Sequence, residues 1–127
     1  MKDILPTLSM IALSAVLDSY AAFVVKLKFN ELGKIDYSSW GGFFGYMANF
    51  FKSPLLLTGI IAFVCAPGIW FLVLNKIELS IGYPILVGFH LVFVIVFGVL
   101  FLDEGLTVNK LIGTGLIFLS LYFFYKK

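Results

Sequence analysis

Arginine is absent from this sequence; all nine basic residues are lysines. Without a guanidinium fork there is no bidentate clamp for phosphate or a nucleic-acid backbone, so nucleic acid is not expected as a partner. Cysteine occurs once, as Cys65 inside an apolar run. That excludes an internal disulfide and leaves packing as its expected role. Charged residues make up only 13%, against about 25% in soluble domains. Also missing are a metal-ligand cluster, a nucleophile with a plausible base and a phosphate-cradling glycine loop. No catalytic residue, metal or cofactor is therefore expected, and the chain does not read as an enzyme.

Apolar residues are plentiful, at 61% of the chain with a mean hydropathy of +1.07. This is the composition of the membrane class. A length of 127 residues leaves room for one membrane domain, 1–127, and no separate soluble one. The expected fold is an all-α integral membrane protein with four transmembrane helices and a short interfacial helix in the first loop. A helix needs about 20 apolar residues to cross roughly 30 Å of hydrocarbon. Runs at about 4–27, 54–74, 79–102 and 108–125 meet or approach that length. Pro54 opens the second span, where its missing N–H costs nothing. The short turns "NKIE" and "DEGLT" force the helices they join to run antiparallel. The first run exceeds a signal-peptide core and ends in no small-residue cleavage site, so it reads as a retained span.

The connection between the first two spans is longer. "NELGKIDYSS" is polar; "WGGFFGYMANFFK" puts Trp40, Phe43, Phe44, Met47, Phe50 and Phe51 on one helical face. A helix at about 39–52, too short to span, is expected either in the interface plane or capping the bundle. With four spans, Lys2, Lys76, Lys126 and Lys127 fall on one side, and Lys28, Lys34, Lys52 and Lys110 on the other, joined by Lys26 if it snorkels outward. That near-balance gives the positive-inside rule nothing to act on.

"SAVLDSYAAFVVKLK" sets a carboxylate, Asp18, in mid-span. Placing it in hydrocarbon costs about 2.5–3.5 kcal/mol on insertion scales, so it should face protein or a wet cavity and suits a proton or substrate site. Ser14 lies one turn before it on the same face, within a seam of small residues that allows close helix approach. Lys26 follows two turns on, about 12 Å along the axis. It either snorkels to the headgroups or stands as a cation at a cavity mouth. In "ELSIGYPILVGFHLVFVIVFG", Tyr83 and His90 share a face and can hydrogen-bond a substrate or Asp18, with Pro84 and Gly88 between them as a kink and a thin spot. Trp70 and Tyr46 read as interfacial anchors. Asp103 and Glu104 read as solvated loop charges. Gly113 and Ser120, seven apart, form a small-residue seam for helix packing or a dimer contact.

"IWFLVLNKIELSIGYPILVGF" and "GVLFLDEGLTVNKLIGTGLIFLSL" resemble the second half of small four-helix members of the drug/metabolite transporter superfamily. The run from Trp70 to Leu74, Ser80-Ile-Gly-Tyr-Pro84 and the Asp-Glu-Gly-Leu-Thr turn resemble the flippase subunits for aminoarabinose-linked undecaprenyl phosphate. The first helix resembles small multidrug resistance exporters, in which an acidic residue precedes a lysine by eight positions, as Asp18 precedes Lys26. Those exporters carry glutamate at the Asp18 position and tryptophan at the Leu86 position, so the resemblance leans toward the flippases. It implies a multi-pass protein of the bacterial inner membrane; together with the residue readings above, it leaves Asp18, Tyr83, His90, Lys26, Ser14 and Trp70 as the candidate transport or substrate-binding residues. Its implied partners are the bilayer, an amphiphilic or lipid-linked substrate, and either a second copy, parallel or antiparallel, or a sister subunit. Three functions follow as expectations. The first is translocation of a polyprenyl-phosphate-linked sugar or similar amphiphile. The second is proton-coupled export of cationic compounds through Asp18. The third is service as a non-transporting subunit of an envelope-modifying enzyme.

Overall fold

The computed structural model describes residues 4–34 and 39–125, with side chains to residue 123. Lys2, Lys126 and Lys127 of the charge count, and residues 35–38 of the polar loop, lie outside the described residues. Five helices follow one another: α1 (Ile4–Leu32), α2 (Trp40–Phe51), α3 (Pro54–Leu74), α4 (Leu79–Phe101) and α5 (Val108–Tyr125). There is no strand among the described residues. α1, α3 and α4 are long and apolar enough to cross a membrane, whereas α5 carries a shorter apolar stretch, Val108–Phe123.

α1 runs five residues past the expected end at 27. The extra turn is held by a Lys28–Glu31 pair at i,i+3 spacing, which offsets the polarity that suggested a loop. Gly33 then stops the helix: its φ of 77° is left-handed, and its N–H caps the Phe29 carbonyl at 3.0 Å. α2 starts as its sequence predicts, with the Ser39 hydroxyl accepting from the Gly42 N–H at 3.1 Å. α3 begins at Pro54, and α4 ends at Phe101, one residue short of expectation.

α1 is the central element. α3 and α4 pack along it and make little contact with each other, so a groove floored by α1 runs between them. The seam is built from small residues. Ser14, Ala15, Ser19 and Ala21 are buried on α1 and Gly59, Ala62 and Ala66 on α3; Ser14 meets Ala66, and Gly59 lies against Val24. The buried positions of α4 are all glycines, Gly82, Gly88 and Gly98. This is membrane logic: with lipid tails as apolar as leucine, helices associate through close approach rather than through hydrophobic burial. Many bulky side chains, among them Ile61, Phe71, Leu72 and Leu100, remain exposed.

α2 divides its aromatic stripe in two. Phe50 is buried with Val24 and Leu56 and stacks on Phe29 at 5.1 Å. Trp40 and Phe44, at the other end, are exposed. The helix therefore docks by its C-terminal end and offers its N-terminal end outward. Tyr46 is tied down, not a free anchor: its hydroxyl donates to the Gly33 carbonyl at 2.9 Å. Cys65 is exposed on α3 rather than packed, because the inward face there is taken by Ala62 and Ala66. Glu104 is also not simply solvated. It folds back so that its N–H meets the Gly98 carbonyl at 3.0 Å, with Lys110 Nζ 3.8 Å from its carboxylate.

Candidate functional site

α4 packs along α1 so that the middles of the two helices come together, and two polar side chains meet there. His90 Nε2 lies 2.8 Å from Asp18 Oδ2, a distance at which the imidazole N–H donates to the carboxylate. The side chains keep 29% and 36% of their exposure, so the pair is not sealed in a dry seam. A carboxylate at this depth needs a partner or a cavity. Asp18 has both.

Two cavities share this pair. The larger, of about 690 Å³, extends toward α2 and is bounded there by Phe50, Phe51 and Leu56. The smaller, of about 260 Å³, extends the other way and contains Ser14, Trp70 and Tyr83. Asp18, Phe63, Val87 and His90 line both, and so form the wall between them.

The smaller cavity gathers most of the residues singled out in the sequence. Trp70 stands edge-on to Tyr83 with ring centres 6.3 Å apart, so this tryptophan faces the site and not only the interface. Gly82 makes room for that arrangement, since a Cβ on it would lie 3.2 Å from Trp70 Cη2. The Ser14 hydroxyl is buried and donates to the Ala66 carbonyl at 2.9 Å, pinning α1 to α3 at the cavity wall. Leu86 also lines this space, where the exporters described above carry an aromatic ring.

Lys26 is exposed and lines neither cavity. It continues the α1 face that carries Ala22 and Val25 along the larger one. Gly113 and Ser120 stand apart from the site. Gly113 borders a small groove between α4 and α5, and the Ser120 hydroxyl turns back to the Ile117 carbonyl at 2.7 Å. Both are exposed; α5 meets Gly88 of α4 through Leu121 and Phe118 instead. Phe63 and Val87 were not distinguished in the sequence. Phenylalanine occurs fifteen times, and no spacing marks the one that completes the wall. Among the described residues, no three His, Cys, Asp or Glu side chains converge as a metal site.

Residues 5–126 match the EamA-like transporter family. The chain is 37% identical over 67 residues to the probable 4-amino-4-deoxy-L-arabinose-phosphoundecaprenol flippase subunit ArnF of Enterobacter sp. (strain 638), covering 52% of this chain and 53% of that protein. It is 34% identical over 64 residues to the protein of the same description from Sodalis glossinidius (strain morsitans), covering 50% and 49% respectively. The chain thus spans about half the length of the curated relatives it matches. No solved structure matches it significantly.

Proposed function

The chain belongs to the EamA-like transporter family of the drug/metabolite transporter superfamily, and from that premise we propose that it moves a lipid-linked sugar, or a similar amphiphile, between membrane leaflets. The observation that carries the reading is the Asp18–His90 pair standing between two cavities near the middle of α1 and α4. The names of the two flippase-subunit relatives support the choice of cargo.

In this reading residues 1–127 form one transmembrane domain of four spans, α5 supplying the fourth, in a bacterial inner membrane. Transporters of this kind need two related halves that exchange access. One chain with a single α1-centred groove supplies one half, so a second copy or a sister subunit supplies the other. The exposed Gly113–Ser120 face of α5 is a surface suited to such a contact. Trp70 and Tyr83 offer ring faces to a sugar, while the Ser14 hydroxyl fixes the cavity wall. Breaking and remaking the Asp18–His90 bond opens the wall of the smaller cavity, where the head group sits, for its passage between leaflets. A second reading, proton-coupled export of hydrophobic cations, draws on the same carboxylate, because Asp18 opens onto a largely apolar cavity.

The deciding experiment reconstitutes the full chain in liposomes carrying a fluorescent polyprenyl-phosphate sugar in one leaflet and follows its accessibility to an impermeant quencher. Parallel vesicles test uptake of a hydrophobic cation driven by a proton gradient. Native protein is expected to flip the lipid-linked sugar, and Asp18→Asn is not. Flipping no faster than in empty vesicles, with or without the variant, overturns the proposal; cation uptake alone moves the assignment to export.

A further inference from the structure

The cavity beneath α2 has a chemistry unlike that of a sugar site. Of its fourteen lining residues only Asp18 and His90 are polar, and they lie at the end away from α2. A sugar head held there would give up its water without replacement hydrogen bonds along most of the wall, a cost of a few kcal/mol per buried polar group. A hydrocarbon chain gives up nothing.

We propose that this cavity of about 690 Å³ is a seat for the hydrocarbon tail of an anionic amphiphile whose phosphate is held by Lys26 and Lys52 at the α2 end. The volume falls within the usual range for small-molecule sites, about 300–1,000 Å³, so it takes part of a long isoprenyl chain. α3 and α4 leave the groove open between them, and exposed Ile60, Phe63, Val87 and Val94 edge the cavity, giving a tail sideways entry from the bilayer. The α2 end of the cavity is where the cations are. Lys26 follows Val25 and sits one turn beyond Ala22, both of which line the cavity; Lys52 directly follows Phe51, which lines it too. Both lysines are exposed, and neither is ion-paired with a described residue, whereas nearby Lys28 is already engaged by Glu31. An amphiphile bound this way has its charge at the surface and its tail toward mid-membrane, as a leaflet lipid does. Phe50 is anchored in the core while Phe51 beside it is 57% exposed, so the Phe51 ring is the one free to move over the tail.

The seat rests on the transport reading for the identity of the cargo, but its test does not need transport. The full chain in nanodiscs is irradiated with an isoprenyl phosphate bearing a diazirine at the tail end, beside a phosphatidylcholine with a diazirine acyl chain, and adducts are mapped by mass spectrometry. Adducts from the isoprenyl phosphate are expected on cavity residues such as Ile60 and Val94, and those from phosphatidylcholine over the outward faces. Ala22→Trp fills the cavity from an exposed position and is expected to lower capture at least about tenfold, equivalent to about 1.4 kcal/mol. Val64→Trp, on the exposed face of α3 and away from the cavities, leaves capture unchanged. Ile60→Trp repeats the test from α3 should Ala22→Trp fail to fold. Combined Lys26→Gln and Lys52→Gln lower capture of the phosphate probe but not of the corresponding isoprenol. Identical adduct maps for the two probes, capture indifferent to both cavity-filling variants, or cavity residues crosslinked to a second copy overturn the seat. Cavity capture without flipping upholds the seat and ends the transport reading; flipping with adducts only outside does the reverse.

Discussion

His90 reaches from α4 to within 2.8 Å of Asp18 on α1, so the single imidazole of the chain and its mid-span carboxylate form one unit. Each satisfies the other, and removing one leaves the other without its partner. If transport works through the pair, the two residues cannot contribute independently. Asp18→Asn and His90→Ala are each expected to slow flipping at least about tenfold, and the double variant hardly more than either single one. The measurement is the liposome assay on all four proteins. Additive losses would show two separate roles and remove the pair as the moving part.

Two serines on the buried face of α1 give opposite expectations. Ser14 donates to the Ala66 carbonyl, so Ser14→Ala loses an interhelical hydrogen bond, for which membrane proteins average about 0.6 kcal/mol. The Ser19 hydroxyl is just as buried and has no hydrogen-bond partner. Ser19→Ala removes an unsatisfied polar group and is expected to leave stability unchanged or raise it. Thermal unfolding of the two variants in the same detergent distinguishes them; a larger loss at Ser19 would contradict the packing described here.

Glycines at two helix contacts separate distance from compliance. A Cβ on Gly88 would lie 2.5 Å from Leu121 Cδ1, whereas one on Gly59 would lie 3.1 Å from Val24 Cβ and Cγ1. The Gly88 contact is shorter, yet Leu121 Cδ1 is the tip of a flexible side chain on a helix that, among the described residues, packs on α4 alone. Val24 Cβ is fixed to the backbone of a fully buried residue. Gly59→Ala is therefore expected to destabilise by about 1–3 kcal/mol, the usual cost of overpacking, and Gly88→Ala by less. Melting temperatures of the two alanine variants check the order.

The helix limits were legible because apolar runs broken by Pro54, "NKIE" and "DEGLT" leave little choice of boundary. α1 outran its reading because Lys28 and Glu31 look like loop residues one at a time and act as a helix-stabilising pair only when helical spacing joins them. On the site, Tyr83 and His90 were readable as one face of α4, and Asp18 as a group in need of company. What spacing within one helix cannot give is apposition between helices. The wall formed by Phe63 and Val87, and the place of Phe50 and Phe51 at the end of a cavity, depend on how α2 and α3 settle on α1. Trp70 was readable both as an interfacial anchor and as a substrate-site residue; its approach to Tyr83 relies on Gly82, whose local pattern shows no packing partner.

The junction between α1 and α2 yields the last expectation. Gly33 holds a φ of 77° with open space around its α-carbon, so a side chain there meets no neighbour and feels only backbone strain. Gly33→Ala is expected to cost about 1–2 kcal/mol from the left-handed conformation alone. The carbonyl of the same residue accepts the Tyr46 hydroxyl, so the strain bears directly on the seating of α2. Tyr46→Phe removes that tie without touching Gly33 and leaves Phe50 in the core. Both variants should raise hydrogen exchange in α2 while α3 and α4 keep their protection, because α2 reaches the bundle through its C-terminal end. If Gly33→Ala accelerates exchange equally in every helix, α2 is an integral part of the bundle rather than a separately docked element, and Phe51 is not free to move over the cavity.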